Sequence, residues 1–482
     1  MDLISWQSFL YFLIIPLLVW SAGESRRAFT ICLFNLIFLV FWLRESSAIV
    51  LTSSFATYFV ARRLQSPPSK RAHWWLAFGI LITLGPLILF RWPLEAENII
   101  RLRGIWMSGS LAFFCLQSCG ALLEIYWNRA EPPRTLARWM AFSIFFPNLL
   151  AGPIARWKEL GATIDTPMTF NKEHGNEALL LFGQGLFKKM VLAAPFLFIL
   201  DRYFTEPLKH GWVTAIGMAF LLRYAIWAEI SSHTDWARAG AHLLGYRLPN
   251  NFHYPFQTLR LAEFWRRWHM SLSLWLQDYV FSPIALGPLR RWISPKLAMV
   301  VALMVAFSGL GLWHGITVSF LAMGFVKGLG VLISEWSWRN AEKQRGWLFL
   351  IYRATVAPSM LLLFLVLPTL LIRTDLATLL TVFSKPDHGL ATSWLRLTEI
   401  YDGDSLIHRT MYPYLLIAIG YEGLLWFNRR RQASRASMDV QNSWDFAALS
   451  PWPRGVILLI GFILFLIFAE FEASLGFSYV NH

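Results

Sequence analysis

Between Leu297 and Phe325 the chain reads LAMVVALMVAFSGLGLWHGITVSFLAMGF, without one charged residue and with a single histidine, His314. A straight helix over that run would be roughly 43 Å long. The hydrocarbon core of a bilayer is about 30 Å thick. The run therefore tilts, protrudes or breaks, and Gly309, Gly311 and Gly315 favour a break near His314. A histidine inside such a run is a functional candidate, because ionisable groups are costly in lipid and its pKa suits proton transfer near neutrality. A neutral histidine bonded between helices is the plainer alternative.

Just upstream, Leu259–Gly287 reads LRLAEFWRRWHMSLSLWLQDYVFSPIALG. As one helix it places Trp265, His269, Leu272 and Leu276 on one face, with Arg266, Met270, Ser273 and Gln277 on the next. Two arginines and a histidine among tryptophans belong at a membrane interface or along a polar cavity, and both placements fit.

The rest of the chain agrees with a membrane setting. Of 482 residues, 56% are hydrophobic and only 15% charged. A soluble surface could not accommodate that apolar fraction. Lipid can, provided every spanning backbone group is bonded internally, and the long unalternating runs select helices over a barrel. The 25 tryptophans often follow arginine, as at Arg91-Trp92, Arg138-Trp139, Arg156-Trp157 and Arg291-Trp292. The net charge of +14 thus reads as positive-inside bias and contact with anionic lipid. Scattered basic residues form no long patch, which argues against nucleic acid. Cys32, Cys115 and Cys119 lie in apolar runs and suggest packing, not a disulfide framework.

Apolar runs at Trp6–Trp20, Ala28–Leu43, Ser46–Ala61, Trp74–Trp92 and Ile105–Trp127 predict the first helices, with the basic loop around Arg62, Arg63, Lys70 and Arg71 cytoplasmic and the N-terminus outside. The middle, Ala141–Ile154, Ala178–Leu200 and Trp212–Ile230, is interrupted by Pro147, Gly152-Pro153 and Pro195, which predicts short or re-entrant helices. Tyr412–Phe427 and Gly455–Phe471 close the chain around a basic loop, Arg429–Pro453, leaving the C-terminus outside. About ten to twelve membrane helices result. His233 and Asp235 read as a solvated loop pair. No phosphate loop, Rossmann fingerprint or zinc motif is present, and Glu124 and Glu229 are rare acids in apolar spans.

Four motifs resemble the membrane-bound O-acyltransferases (MBOAT), in particular the bacterial branch that acylates cell-surface polymers. They are Phe146-Pro147-Asn148-Leu149-Leu150-Ala151-Gly152-Pro153-Ile154, Gly185-Leu186-Phe187-Lys188-Lys189, Pro249-Asn250-Asn251-Phe252 running into Glu263-Phe264-Trp265-Arg266-Arg267-Trp268-His269-Met270-Ser271-Leu272-Ser273, and Leu312-Trp313-His314-Gly315. Ile372-Arg373-Thr374 looks like a later family position. The resemblance implies an all-α polytopic membrane protein, a ring of helices with short re-entrant or interfacial pieces around a thinned centre crossed by a tunnel. It implies one membrane domain over 1–482, with N-terminal helices to 130, a motif-bearing core over 131–340 and C-terminal helices from 341.

By the same resemblance His314 is the catalytic base and His269 the second functional histidine. Trp265, Arg266, Arg267, Trp268, Ser273, Trp313, Asn251, Asp235, Lys188 and Lys189 line the donor site or tunnel, although the two lysines could equally snorkel at the interface. No bound cofactor or metal is implied. The donor is acetyl-CoA or an acyl-carrier thioester, the acceptor an exopolysaccharide, and the partners a periplasmic SGNH-type acyltransferase, a polysaccharide synthase or secretion complex and membrane lipids. The location is a bacterial inner membrane with both termini periplasmic. D-alanyl transfer from a carrier protein is the alternative within the class, and a polymer exporter or flippase subunit the one outside it. Gln277, Phe281–Gly287 and Ala228–Asp235 depart from the family pattern and bear on donor and acceptor.

Overall fold

The structure, a computed structural model, describes residues 14–16, 18–23, 26–43, 46–64, 71–91, 109–164, 172–205, 207–344, 346–386 and 405–434. Among these every regular element is helical. Five helical stretches are long and apolar enough to cross a membrane: His174–Thr205, Trp212–Leu243, Pro295–His314, Val318–Gln344 and Gly346–Ile372. Shorter apolar helices cover Phe29–Phe41, Ala72–Ile88, Leu111–Tyr126 and Tyr414–Phe427. Large apolar side chains such as Phe41, Phe59, Leu81, Leu350 and Leu416 face outward. Such a surface is stable in lipid and not in water. The chain is a multi-pass membrane protein.

The described residues form two compact units. One takes the chain up to Gly185 together with His233–Asn250; the other takes Leu186–Ser232 and the chain from Asn251 onward. In the first, Arg27–Phe38, Ser46–Arg63, Ala72–Arg91 and Gly109–Tyr126 are the longer helices. Its core is aromatic around Trp139, Phe142, Phe145 and Phe146. Buried polar contacts tie the helices where apolar packing against lipid gives little preference. Ser54 and Ser143 hydroxyls lie 2.6 Å apart, and the Trp139 indole donates to Ser54 O at 3.1 Å. Cys115 donates to Thr83 O, and Cys119 meets the Thr83 hydroxyl, both at 2.8 Å, so these thiols serve packing.

The interrupted middle is as punctuated as the prolines require at one place and smoother at another. Leu136–Ser143 and Phe146–Ala151 are short helices, the second with Pro147 in its first turn. Lys172–Phe187 runs on through a π-helical stretch, Lys188–Ala193, into Ala194–Thr205 without ending. Pro195 causes no break because it follows the widened turn, where its missing N–H and its ring are accommodated.

Three expectations are corrected. Leu259–Gly287 is not one helix: it is broken at Trp268-His269, so the face assignment across it fails. The Trp212 helix continues to Leu243, which puts His233 and Asp235 inside a helix and not in a solvated loop. The final basic segment begins as helix, since Ser405–Ser434 carries Arg429 and Arg430. The expected runs Trp6–Trp20 and Gly455–Phe471 lie partly and wholly outside the described residues.

Candidate functional site

The apolar run quoted first does break, and it breaks at His314. Ser294 caps the start of Pro295–His314, accepting from Leu297 N at 3.3 Å. The helix stops at His314, Gly315 is extended, and Val318–Gln344 begins after Thr317, whose hydroxyl accepts from Phe320 N at 3.3 Å. Glycine allows the two helices to run this close. A Cβ on Gly311 would strike Phe320 O, and one on Gly324 would strike Phe307 O. His314 is half-buried at this turn. Its ring stacks on Phe320, with centroids 5.9 Å apart, and meets Trp313 at 5.0 Å. The break thus fixes an imidazole without sealing it.

The second histidine sits at another break. Leu261–Arg267 and Met270–Leu276 are joined through His269, whose φ of 43° is left-handed. Asn251 holds that geometry. Its Oδ1 accepts from Ser271 N at 3.1 Å and from Ser271 Oγ at 2.6 Å, and its backbone oxygen accepts from Met270 N at 2.7 Å. His253 N donates to Arg267 O at 2.9 Å, and Ser273 Oγ donates to Trp268 O at 3.0 Å. The buried His269 ring lies 6.2 Å from Phe252. Burial pushes its pKa down to about 4, so it is a neutral imidazole near neutral pH.

Around the break the charges are arranged in pairs. Arg267 contacts Glu263 one turn back, and Arg260 forms a two-pronged pair with Glu335. Arg266 is exposed. Trp265 meets Phe307 edge-on at 5.2 Å, and Trp268 stacks on Phe264 at 5.2 Å.

The lysines Lys188 and Lys189 are buried, so neither ammonium snorkels. Lys188 donates to Ser231 Oγ and Lys189 pairs with Glu229 Oε1, each at 2.8 Å. Lys188 also lies 5.8 Å from the Trp227 ring, which continues through Phe256 to Trp268 in steps of 5.6 and 6.2 Å. The second unit therefore holds His314, Trp313, His269, Asn251, Ser273, Lys188, Lys189 and Trp265–Trp268, whereas Asp235 is buried in the first. Arg373 pairs with Asp201. Among the described residues no three His, Cys, Asp or Glu side chains are grouped to hold a metal.

Sequence reasoning missed several supporting groups. In the first unit Gln117 accepts from Asn148 Nδ2 at 3.0 Å and from Ala155 N at 3.3 Å, and donates to Phe142 O at 2.6 Å. Asn35 accepts from Phe146 N at 3.1 Å. These amides satisfy the backbone of the broken Phe146–Ile154 motif, which lipid could not do. A polar amide inside an apolar run was the available signal. Arg223 and Lys327, both buried in membrane helices of the second unit, were also overlooked.

Residues 129–345 match the family model described as MBOAT, membrane-bound O-acyltransferase family. Over 344 residues the chain is 25% identical to the probable alginate O-acetylase AlgI of Pseudomonas syringae pv. tomato, covering 67% of this chain and 64% of the relative. It is 26% identical over 343 residues to the peptidoglycan O-acetyltransferase of Helicobacter pylori, covering 62% of each. It is 24% identical over 362 residues to the teichoic acid D-alanyltransferase of Streptococcus thermophilus, covering 68% of this chain and 81% of the relative. The chain thus spans somewhat under two thirds of the length of the alginate relative, at 64%.

Proposed function

We propose, from the MBOAT-family domain that residues 129–345 carry, that this membrane protein is an acyltransferase with His314 as its base. It would pass an acyl group, acetyl in the first instance, from a cytosolic thioester across the inner membrane for O-acylation of an exopolysaccharide. The observation that carries this reading is the half-buried His314 at the interrupted helical hairpin, held against Phe320 inside the matched segment.

The chemistry asks little else of the protein. A thioester is already activated, so rate depends on positioning and on a base. The imidazole takes the hydroxyl proton as the oxygen attacks the acyl carbon. The C–S bond then breaks, and the proton passes to the departing thiolate. His269, neutral by burial, would position the donor without charge, and Trp265–Trp268, Asn251, Ser273, Trp313, Lys188 and Lys189, all in the same unit, would shape its path. Acetyl-CoA is the donor of first choice. A periplasmic SGNH-type enzyme would complete transfer to the polymer within a synthase or secretion complex, with both termini periplasmic. The names of relatives such as the Streptococcus thermophilus teichoic acid D-alanyltransferase favour a second reading, D-alanyl transfer from a carrier protein to an envelope polymer.

The test is His314→Ala in cells making the polymer. Loss of a positioned base should lower acylation by about 10²–10⁴-fold with normal protein level and normal polymer secretion. Unchanged acylation overturns the assignment. Loss of secretion itself would point to an exporter or flippase subunit instead. Labelled acetyl-CoA and a loaded carrier, supplied separately to membranes, distinguish the two donors.

A further inference from the structure

Two buried cations in the second unit have no use in the acyl-transfer scheme above. Lys327 is 3% exposed although it sits well inside the long apolar helix Val318–Gln344. Among the described residues it takes part in none of the ion pairs. Its Nζ lies 6.0 Å from the centre of the Trp265 ring. The Trp265 indole N–H is itself buried with no acceptor. Arg223 is 4% exposed and lies over Trp268 at 3.9 Å, Phe264 at 4.9 Å and Trp265 at 5.7 Å, with a 3.5 Å contact to the Thr369 hydroxyl.

Arg223 and Lys327 thus both lie within 6.0 Å of the centre of one indole ring, that of Trp265. A lysine ammonium in a low dielectric is costly, and an aromatic face offsets only part of that. An anion beside Lys327 would neutralise the ammonium and accept from the indole N–H. The depth of the spot follows from two helices independently. Phe320, against which His314 stacks, precedes Lys327 by seven residues; Phe307, against which Trp265 packs, precedes His314 by seven. At 1.5 Å per residue both place the spot about 10 Å along the helices from His314. It lies toward the end of the hairpin where Arg260 pairs with Glu335.

We propose that Lys327, Arg223 and the Trp265 indole N–H form a buried anion site for a phosphate ester. An acetyl group has no charge to offer such a site, so the anion must come from elsewhere in the donor or from lipid. The phosphate of a phosphopantetheine arm is shared by coenzyme A and by acyl-carrier proteins, and that source rests on the acyl-transfer reading. A phospholipid headgroup is the other source of the same chemistry.

The experiment compares S-acetyl-phosphopantetheine with S-acetyl-pantetheine as donors, and in parallel measures phospholipid phosphorus retained by protein purified in a maltoside detergent. Wild type, Lys327→Met and Lys327→Arg are used, with Lys327→Gln where the Met variant fails to accumulate. If the donor supplies the anion, wild type has about a tenfold lower KM for the phosphorylated donor; Lys327→Met abolishes the difference and Lys327→Arg restores it. If lipid supplies it, the two donors are equivalent, and wild type and Lys327→Arg retain phospholipid that Lys327→Met loses. The site is overturned if a folded Lys327→Met matches wild type in both readouts. Retained phospholipid that follows Lys327, with neither thioester turned over, keeps the site and sinks the acyl-transfer reading.

Discussion

Removing the Asn251 side chain should unlock the break that carries His269. Asn251 is buried, and its Oδ1 accepts from both the Ser271 N–H at 3.1 Å and the Ser271 hydroxyl at 2.6 Å. Asn251→Ala leaves two donors without an acceptor where water has little access, at about 1–3 kcal/mol each. Those bonds hold His269 in a left-handed conformation that itself costs roughly 1–2 kcal/mol for a residue with a Cβ. Without them the backbone can relax toward a continuous helix, and the ring leaves its place beside Phe252. The expected loss is about 2–5 kcal/mol, seen as a lower melting temperature by tryptophan fluorescence in detergent. Acyl transfer should fall by at least about tenfold through misplacement. Ser271→Ala alone should be milder, because only the hydroxyl donor is lost. In the double variant just one donor is orphaned, so the two effects should sum to about 1–2 kcal/mol more than the measured loss. Strict additivity, or an Asn251→Ala protein that melts and works like wild type, would refute the clasp.

Three further outcomes follow from the same structure. Gly311→Val should prevent the hairpin from closing, since its Cβ meets Phe320 O, and should abolish accumulation; Gly309→Ala, with nothing within 4 Å of the added carbon, should be neutral or gain up to about 1 kcal/mol. Lys189→Met should cost about 3–5 kcal/mol by stranding buried Glu229. Lys189→Met with Glu229→Leu should regain most of that in a melt; if the repaired protein also transfers acyl groups normally, Lys189 has no role in donor binding. For pH, His269 and His253 both have folded pKa values lowered to about 4, His269 by burial and His253 by burial and the neighbouring Arg267 and Arg429. Below the unfolded value of about 6.5 the unfolded chain takes protons that the native one refuses, so stability falls as pH drops from about 6.5 to about 4. His269→Asn, which tolerates the left-handed backbone, should flatten that slope in melts taken across the window; an unchanged slope would rule out His269 as its source.

The sequence made one of the two breaks legible and concealed the other, for a physical reason. Around His314 three glycines interrupt an over-long apolar run, so length and backbone propensity agree on a break. Around His269 nothing local forbids helix: Trp265–Leu276 has neither Gly nor Pro. That break is imposed by Asn251, twenty residues away in sequence, and no periodicity could report it. Pro195 misleads in the other direction, because a widened turn absorbs it. Lys188 and Lys189 show the limit for charge. Their position beside an apolar run fits a snorkelling residue as well as a buried one, and only the partners Ser231 and Glu229 decide. The resemblance supplied the roles of the histidines, and the fold supplied what holds them.

Irregular backbone inside a membrane protein is not a neutral feature. Each carbonyl and N–H released from a helix must find a partner within the protein, or cost several kcal/mol by about the same measure as any polar group in hydrocarbon. Here the departures coincide with buried side chains that meet that demand. Gln117 and Asn35 serve the Phe146–Ile154 break, Asn251 serves His269, and Thr317 serves the turn after His314. Widened π turns lie at Lys188–Ala193, which carries both buried lysines, and at Gln277–Phe281, which follows the His269 segment. Continuous helices would be the cheaper way to cross lipid. Breaks maintained by dedicated amides and hydroxyls are therefore built features of the fold, and the proposed base stands at one of them.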